Sequence, residues 1–305
     1  MNETDITEFV LIGFSGHPKI RTGLAALMSI IYLGNVVGNG LIVFVVTADP
    51  RLHNPMYFFL CNLSIIDIGL CTFSVPQSIA NCLVDRPVMP FASCYIQMYA
   101  GIYLGGTECF LLAVMAYDRY VAISSPLRYM IIMNWRVCVV LAIASWTMAF
   151  LLAIVPCLAK PAHFCGHNEV DHFACELTAL MKLMCSDMAV SQLIMYFTST
   201  FTVLFPFCLI LFSYVRIIVT ILRIDSSGGR KKAFSTCGSH LAVVVVFFGN
   251  AIVQYIKPQS KDNQDSDKFI FVFNAAIIPM LNPLIYTLRN QDVLGALKRL
   301  IRKKL

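Results

Sequence analysis

The sequence predicts an all-α membrane protein, a seven-transmembrane helix bundle with a short amphipathic C-terminal helix. Three observations carry that prediction. The first is composition: of 305 residues 58% are hydrophobic and 13% charged, whereas soluble domains average about 45–50% and about 25%. The second is the length of the apolar segments, which run to roughly 20 residues and do not alternate in short strands, so helices and not a barrel cross the bilayer. The third is the uneven placement of the basic residues, which gives the helices a direction.

Apolar windows fall at 23–47, 56–83, 93–123, 137–158, 191–222, 233–256 and 269–288. They leave a polar tail at 1–22 and a basic tail at 289–305, and the whole chain reads as one domain. Fifteen of the 23 Lys and Arg residues lie on the side that holds 48–55, 124–136, 223–232 and the C-terminal tail. The positive-inside rule therefore sends the N-terminus outside and the basic tail into the cytosol. The net charge of +6 is a topology signal, and nucleic-acid binding is not needed to explain it. Residues 1–22 lack the basic start and short apolar core of a cleavable signal peptide. In the tail, Lys298, Arg299, Arg302, Lys303 and Lys304 interleave with Leu297, Leu300 and Ile301, the pattern of a helix lying on anionic membrane lipid.

Two marks agree with this orientation. Asn2-Glu3-Thr4 is a glycosylation sequon on the outer tail. Of twelve cysteines, Cys94, Cys165, Cys175 and Cys185 lie at the outer end of the third span or in the loop after the fourth, where an oxidising compartment would pair them. Four cysteines allow three connectivities. A long loop held over a bundle needs a tether, so Cys94 is expected to bond to a loop cysteine.

The charges inside the spans set a depth scale. Asp67 lies eleven residues above the start of its span and Glu108 eleven above Arg119, so both sit ~16 Å from the inner surface. Such carboxyl groups should face the interior and either hold a cation such as Na⁺ or share protons in a neutral hydrogen-bonded pair. On the third helix Leu104, Gly101 and Gln97 fall near the meridian of Glu108, with Gly105 slightly aside. The glycines there serve either close helix packing or a ligand cavity. The fifth span repeats Met195, Thr198, Ser199 and Thr202 on one face and the sixth repeats Phe248, Ala251, Ile252 and Tyr255, which favours the cavity. Apolar walls with a few hydroxyls and no carboxylate suit a small, mostly apolar, neutral ligand.

No catalytic constellation is present. Ser235, Cys237 and His240 lack an oriented base and an oxyanion device. The group His163, Cys165, His167, Asp171, His172, Cys175 and Glu176 is better used in disulfides than as a metal site. A small-solute transporter is the rival class, but the internal repeats and broken half-helices common in transporters are not seen.

Pro55-Met56-Tyr57-Phe58-Phe59-Leu60, Met115-Ala116-Tyr117-Asp118-Arg119-Tyr120, Lys232-Ala233-Phe234-Ser235-Thr236-Cys237 and Pro279-Met280-Leu281-Asn282-Pro283-Leu284-Ile285-Tyr286 occur in that order. With these motifs the chain resembles the vertebrate odorant receptors, tetrapod-type group, of the rhodopsin-like G-protein-coupled class. The resemblance implies disulfides Cys94–Cys175 and Cys165–Cys185, and a cytoplasmic latch at Asp118 and Arg119 beside Tyr120. It implies that Tyr214 and Tyr286 rearrange on activation, that Asn282 and Pro283 form a hinge, and that Tyr255 contacts odorant. The implied partner is an olfactory stimulatory G protein that raises cAMP, and the implied location is the plasma membrane of sensory cilia. A receptor of the same fold for a non-odorant ligand is the nearer alternative. This chain departs from the family in Phe248, where tyrosine is usual, and in Ser124-Ser125 before Pro126; like the family, it has neither Pro nor Trp in the sixth span.

Overall fold

The computed structural model describes residues 6–13, 18–159, 164, 168–185, 189–256, 264–288 and 291–304. Within them the chain forms α1 (Pro18–Ala48), α2 (Pro55–Leu83), α3 (Phe91–Ser124), α4 (Trp135–Ala159), α5 (Ala189–Leu222) and α6 (Ser227–Ile256). The next helix, α7, is Gln264–Val272 and Ile278–Leu288 joined through a π-helical turn, Phe273–Ile277; α8 is Gln291–Lys304. Start signals are local and legible. Asn54 Oδ1 accepts from the Tyr57 amide with Pro55 at the first helical position, a standard N-cap for α2.

Among the described residues six helices are long and apolar enough to cross a membrane, and the chain is a multi-pass membrane protein. The sixth expected span, 233–256, lies within α6 (Ser227–Ile256). Within it, Cys237–Ile252 is an apolar helical run among the described residues.

Helix α3 is central, packing on α2, α4, α5 and α6, while α1 packs on α2 and α7. A continuous apolar core runs through the bundle, with Tyr57, Phe59, Leu63, Leu111, Leu112 and Phe248 all but fully buried. Helix α8 is tied back by Arg299, whose Nη2 lies 2.7 Å from Asp49 Oδ2, and by the Tyr57 hydroxyl, 3.3 Å from Asp292.

At the other end the N-terminal segment is not a loose polar tail. Residues Glu8–Leu11 form β1, the central strand of a three-stranded sheet between β2 (Val88–Pro90, antiparallel) and β3 (Glu169–Val170, parallel). Phe9 and Leu11 are buried there with Met89, Met98 and Val170. Cys94 is bonded to Cys175, joining α3 to the loop beside the sheet across a separation of 81 residues. Closing a loop of that length contributes about 4–5 kcal/mol in the chain-entropy account. Cys185 is also disulfide-bonded; Cys165, its expected partner, and Asn2 lie outside the described residues. Arg21 donates to the carbonyls of Cys82 and Val84 at the end of α2 and to Asp85. Lys268 of α7 reaches Asp171 at 2.6 Å and the Gly13 carbonyl at 3.0 Å. The strand, the loop and four helices, α1, α2, α3 and α7, are thereby fastened into one cap.

Candidate ligand cleft and switch residues

The cleft nearest the expected ligand face lies under this cap, between α3, α4 and α5, and is narrow, about 10 Å³. Met98, Tyr99 and Ile102 of α3 line it, with Leu152 and Ala153 of α4, Met195, Thr198 and Ser199 of α5, and Leu177 of the loop. Three residues of the predicted α5 stripe therefore meet the cavity. The Thr198 hydroxyl donates to the carbonyls of Ile194 (3.0 Å) and Met195 (3.1 Å), so towards the cleft it offers lone pairs only. Thr202 likewise donates to Thr198 at 2.7 Å, and it is not among the lining residues.

The expected inward face of α3 is buried at Gln97, Leu104 and Glu108, and its residues divide between two neighbours. Gln97 donates to the Phe73 carbonyl of α2 at 2.9 Å and accepts from the Cys175 amide at 2.8 Å. Leu104 packs on Gly69 of α2. The meridian through Glu108 thus looks toward α2, and the residues one position on, Met98 and Ile102, look into the cleft. The glycines also separate. A Cβ at Gly106 would stand 3.1 Å from Thr202 Cγ2 and 3.5 Å from Ala149 Cβ, whereas at Gly101 or Gly105 it would meet nothing within 4 Å. Close packing is the work of Gly106, and Gly101 and Gly105 leave open space. On α6, Phe248 is buried against Phe207, with ring centroids 5.3 Å apart. Phe248 and the half-buried Ala251 and Ile252 do not line this cleft; the Tyr255 side chain lies outside the described residues.

In the middle of the bundle Asp67, Glu108 and Asn282 are buried, as are Asn35 and Asn39 of α1. Asp67 does not pair with Glu108 directly. Its two oxygens accept from Asn282 Nδ2 at 3.1 and 3.0 Å, tying α2 to α7, and Glu108 Oε1 is buried without a protein partner. Asn39 Oδ1 is in the same condition. The all-oxygen pair Asp67 and Glu108 fits a hard cation such as Na⁺. Among the described residues no group of three or more His, Cys, Asp or Glu is placed to hold a metal ion. In the cap Cys175 is in its disulfide, Asp171 is paired with Lys268, and His172 Nε2 lies 3.2 Å from Glu176.

At the opposite end of α3, Arg119 Nη2 lies 2.8 Å from Asp118 Oδ2 and both are buried. The second Asp118 oxygen accepts from the Tyr129 hydroxyl at 2.7 Å. Tyr129 lies outside the spans, and burial, then the charge of Asp118, pushes its hydroxyl pKa up. Its part was not read from sequence, since eleven residues and a turn separate it from Asp118. Tyr120 is half-buried against the Tyr117 ring. Above them the Leu112 carbonyl of α3 can only accept, so His240 Nε2, at 3.1 Å, carries the proton. In the neutral ring Nδ1 is then the acceptor for the Tyr214 hydroxyl at 2.8 Å, and α3, α5 and α6 are joined through one imidazole. The sequence placed His240 beside Cys237 but gave no hint of this tie, which depends on how three helices pack. Pro283 sits against Gly38 of α1; the Tyr286 side chain is outside the described residues.

Comparison with known proteins agrees with this arrangement. The sequence profile of the family described as olfactory receptor matches residues 28–304. Olfactory receptor 13H1 of Homo sapiens is 48% identical over 303 residues, covering 99% of this chain and 98% of that protein. Olfactory receptor 2A12 of Homo sapiens is 45% identical with the same coverage, and olfactory receptor 2A7 of Mus musculus is 44% identical, covering 99% and 97%. Squid rhodopsin superposes with a TM-score of 0.66 at 17% identity, over 95% of this chain and 87% of that one, which establishes the fold. The chain belongs to the olfactory receptor family, non-enzymatic G-protein-coupled receptors of rhodopsin-like fold.

Proposed function

We propose that the cleft under the cap takes a small neutral odorant, and that the Asp118–Arg119 end of the bundle engages a stimulatory G protein of the olfactory type to raise cAMP. The observation that carries this is the reach of α3. One helix lines the cleft with Met98 and Ile102 and holds the paired Arg119 at its far end, roughly 30 Å away at about 1.5 Å per residue. The walls are apolar, and Thr198 presents an acceptor, so an apolar molecule carrying one hydroxyl donor fits best. The N-terminus and cap are then extracellular and α8 cytosolic, in the plasma membrane of sensory cilia. Binding acts only through its differential affinity for the resting and active packings, typically about 1–3 kcal/mol. In the active packing Arg119 leaves Asp118 for the G protein, with Tyr214, Asn282, Pro283 and Tyr286 rearranging around it.

Arg119→Ala is expected to abolish odorant-evoked cAMP while surface expression is retained. Undiminished cAMP in that variant, or odorant uptake without cAMP, would overturn the assignment.

The polar core supports a second reading, that Na⁺ is held by Asp67 and Glu108 in the resting packing. The buried, unpartnered Glu108 Oε1 favours it. Replacing K⁺ by Na⁺ in the buffer is expected to raise the thermal midpoint of the purified receptor, and Glu108→Gln to remove that difference. An equal midpoint in both salts for the unsubstituted receptor refutes it.

A further inference from the structure

Helix α7 contains Pro279 and Pro283, neither of which has an N–H. In an α-helical register Pro283 leaves the carbonyl of residue 279 without its donor, and Pro279 does the same to residue 275. The first gap is filled from α1. Asn39 Nδ2 donates to the Pro279 carbonyl at 3.0 Å. The two helices come close enough for this because Gly38 faces Pro283, where an added Cβ would stand 3.1 Å from Cγ, and Gly34 faces Met280 at 3.6 Å.

One turn back on α1 is Asn35, and one turn back on α7 is Ala275. The spacing of four residues is the same on both helices, so the pair Asn35 and Asn39 matches the pair of carbonyls freed by the two prolines. The level agrees as well: Ile31, the turn before Asn35, is buried in one cluster with Ala276. Asn35 is 0% exposed, and neither its Nδ2 nor its Oδ1 has a partner. Orphaned buried amides are costly and rare, and each asks for a reason. The turn Phe273–Ile277, against which α1 packs, is not α-helical but π-helical, with the Ile278 N–H on the Phe273 carbonyl. Single π turns are frequent at functional sites, and their relaxation to α register rotates and shifts the backbone beyond them.

We propose that Asn35 is a positioning residue for activation: it donates to the Ala275 carbonyl in the active packing, once the π turn of α7 has relaxed to α register. The proposal rests on reading the chain as a two-state G-protein-coupled receptor. In the resting packing the amide has no protein partner and destabilises that state; in the active packing it supplies the donor that Pro279 lacks. Asn39 keeps its bond in both and acts as the fixed rung.

The test uses purified full-length receptor in nanodiscs, without odorant, and the rate of nucleotide exchange it induces on a purified stimulatory G protein. Asn35→Leu, close in volume and without an amide, is expected to slow that exchange about three- to tenfold, the weight of one interhelical hydrogen bond. Its thermal midpoint is expected to equal or exceed that of the parent, since no resting bond is lost. In a Pro279→Ala background, where the helix regains its own N–H, Asn35→Leu is expected to change exchange by less than a factor of about two. Unchanged exchange, or an equal loss in the Pro279→Ala background, would overturn the proposal. So would a lower midpoint or failure to fold, because an amide with a resting role would then be doing structural work. Failure of the receptor reading shows separately, as parent exchange no faster than in empty nanodiscs, and the midpoints then still decide whether Asn35 has a resting partner.

Discussion

Gly106 and Gly101 differ by less than two turns of α3, yet the molecule treats them oppositely. At Gly106 the walls of α4 and α5 stand at contact, and at Gly101 there is room. Gly101→Ala should therefore gain helix propensity without a clash, raising the thermal midpoint by the equivalent of about 0.5–1 kcal/mol. Gly106→Val should push on Thr202 and Ala149 and cost about 1–3 kcal/mol, read as a lower midpoint or loss of surface receptor. Equal midpoints for the two variants would contradict the assignment. The sequence showed that small residues cluster on one helix. It could not show which of them touches a neighbour, because a 3.6-residue period fixes direction around α3 but not the positions of α2, α4 and α5. For the same reason the burial of Asp67 and Glu108 is legible in the sequence, and the hydrogen bonds of Asp67 to Asn282, a residue 215 positions away, are not.

Among the elements, α8 shows how a charged helix is docked. The Arg299 hydrogen bond to Asp49, together with the Arg51 amide, holds the Asp49 carboxyl below its usual pKa. A depressed carboxylate contributes stability above its unfolded pKa of about 3.9, and that contribution is lost as pH falls through the folded value. Hydrogen-exchange protection of α8 should accordingly drop below about pH 4. Asp49→Asn should lower protection at neutral pH and abolish the acid-induced part of the change. A wild-type acid response in that variant would show that α8 is held by its apolar face alone. The effect should fade with added salt, because the Arg299 side chain is 41% exposed. That α8 is amphipathic was legible from Leu297, Leu300 and the interleaved bases; that it leans on the turn after α1 was not, since nothing local links residues 49 and 299.

For the molecule as a whole, topology was the most legible level. Hydrophobic length, the bias of basic residues and four motifs in order were enough for the bundle and its family, because the bilayer forces every backbone polar group into a helix and leaves few alternatives. The cap was harder. Glu8–Leu11 is only four residues long, too brief for a periodic signal, and its strand character comes from partners around residues 89 and 169. The disulfide followed a different route: the residues left three pairings open, and the resemblance supplied the one that Cys94 and Cys175 make.

The place of β1 in the middle of that sheet bears on the order in which the receptor is made. Translation delivers Glu8–Leu11 first, yet its two neighbouring strands emerge roughly 80 and 160 residues later, after two and then four helices have entered the membrane. Such long-range pairing is slow and leaves edges unpaired meanwhile. The beginning of the chain is thus among the last parts to settle, and the oxidation of Cys94 with Cys175 arrives in time to seal it.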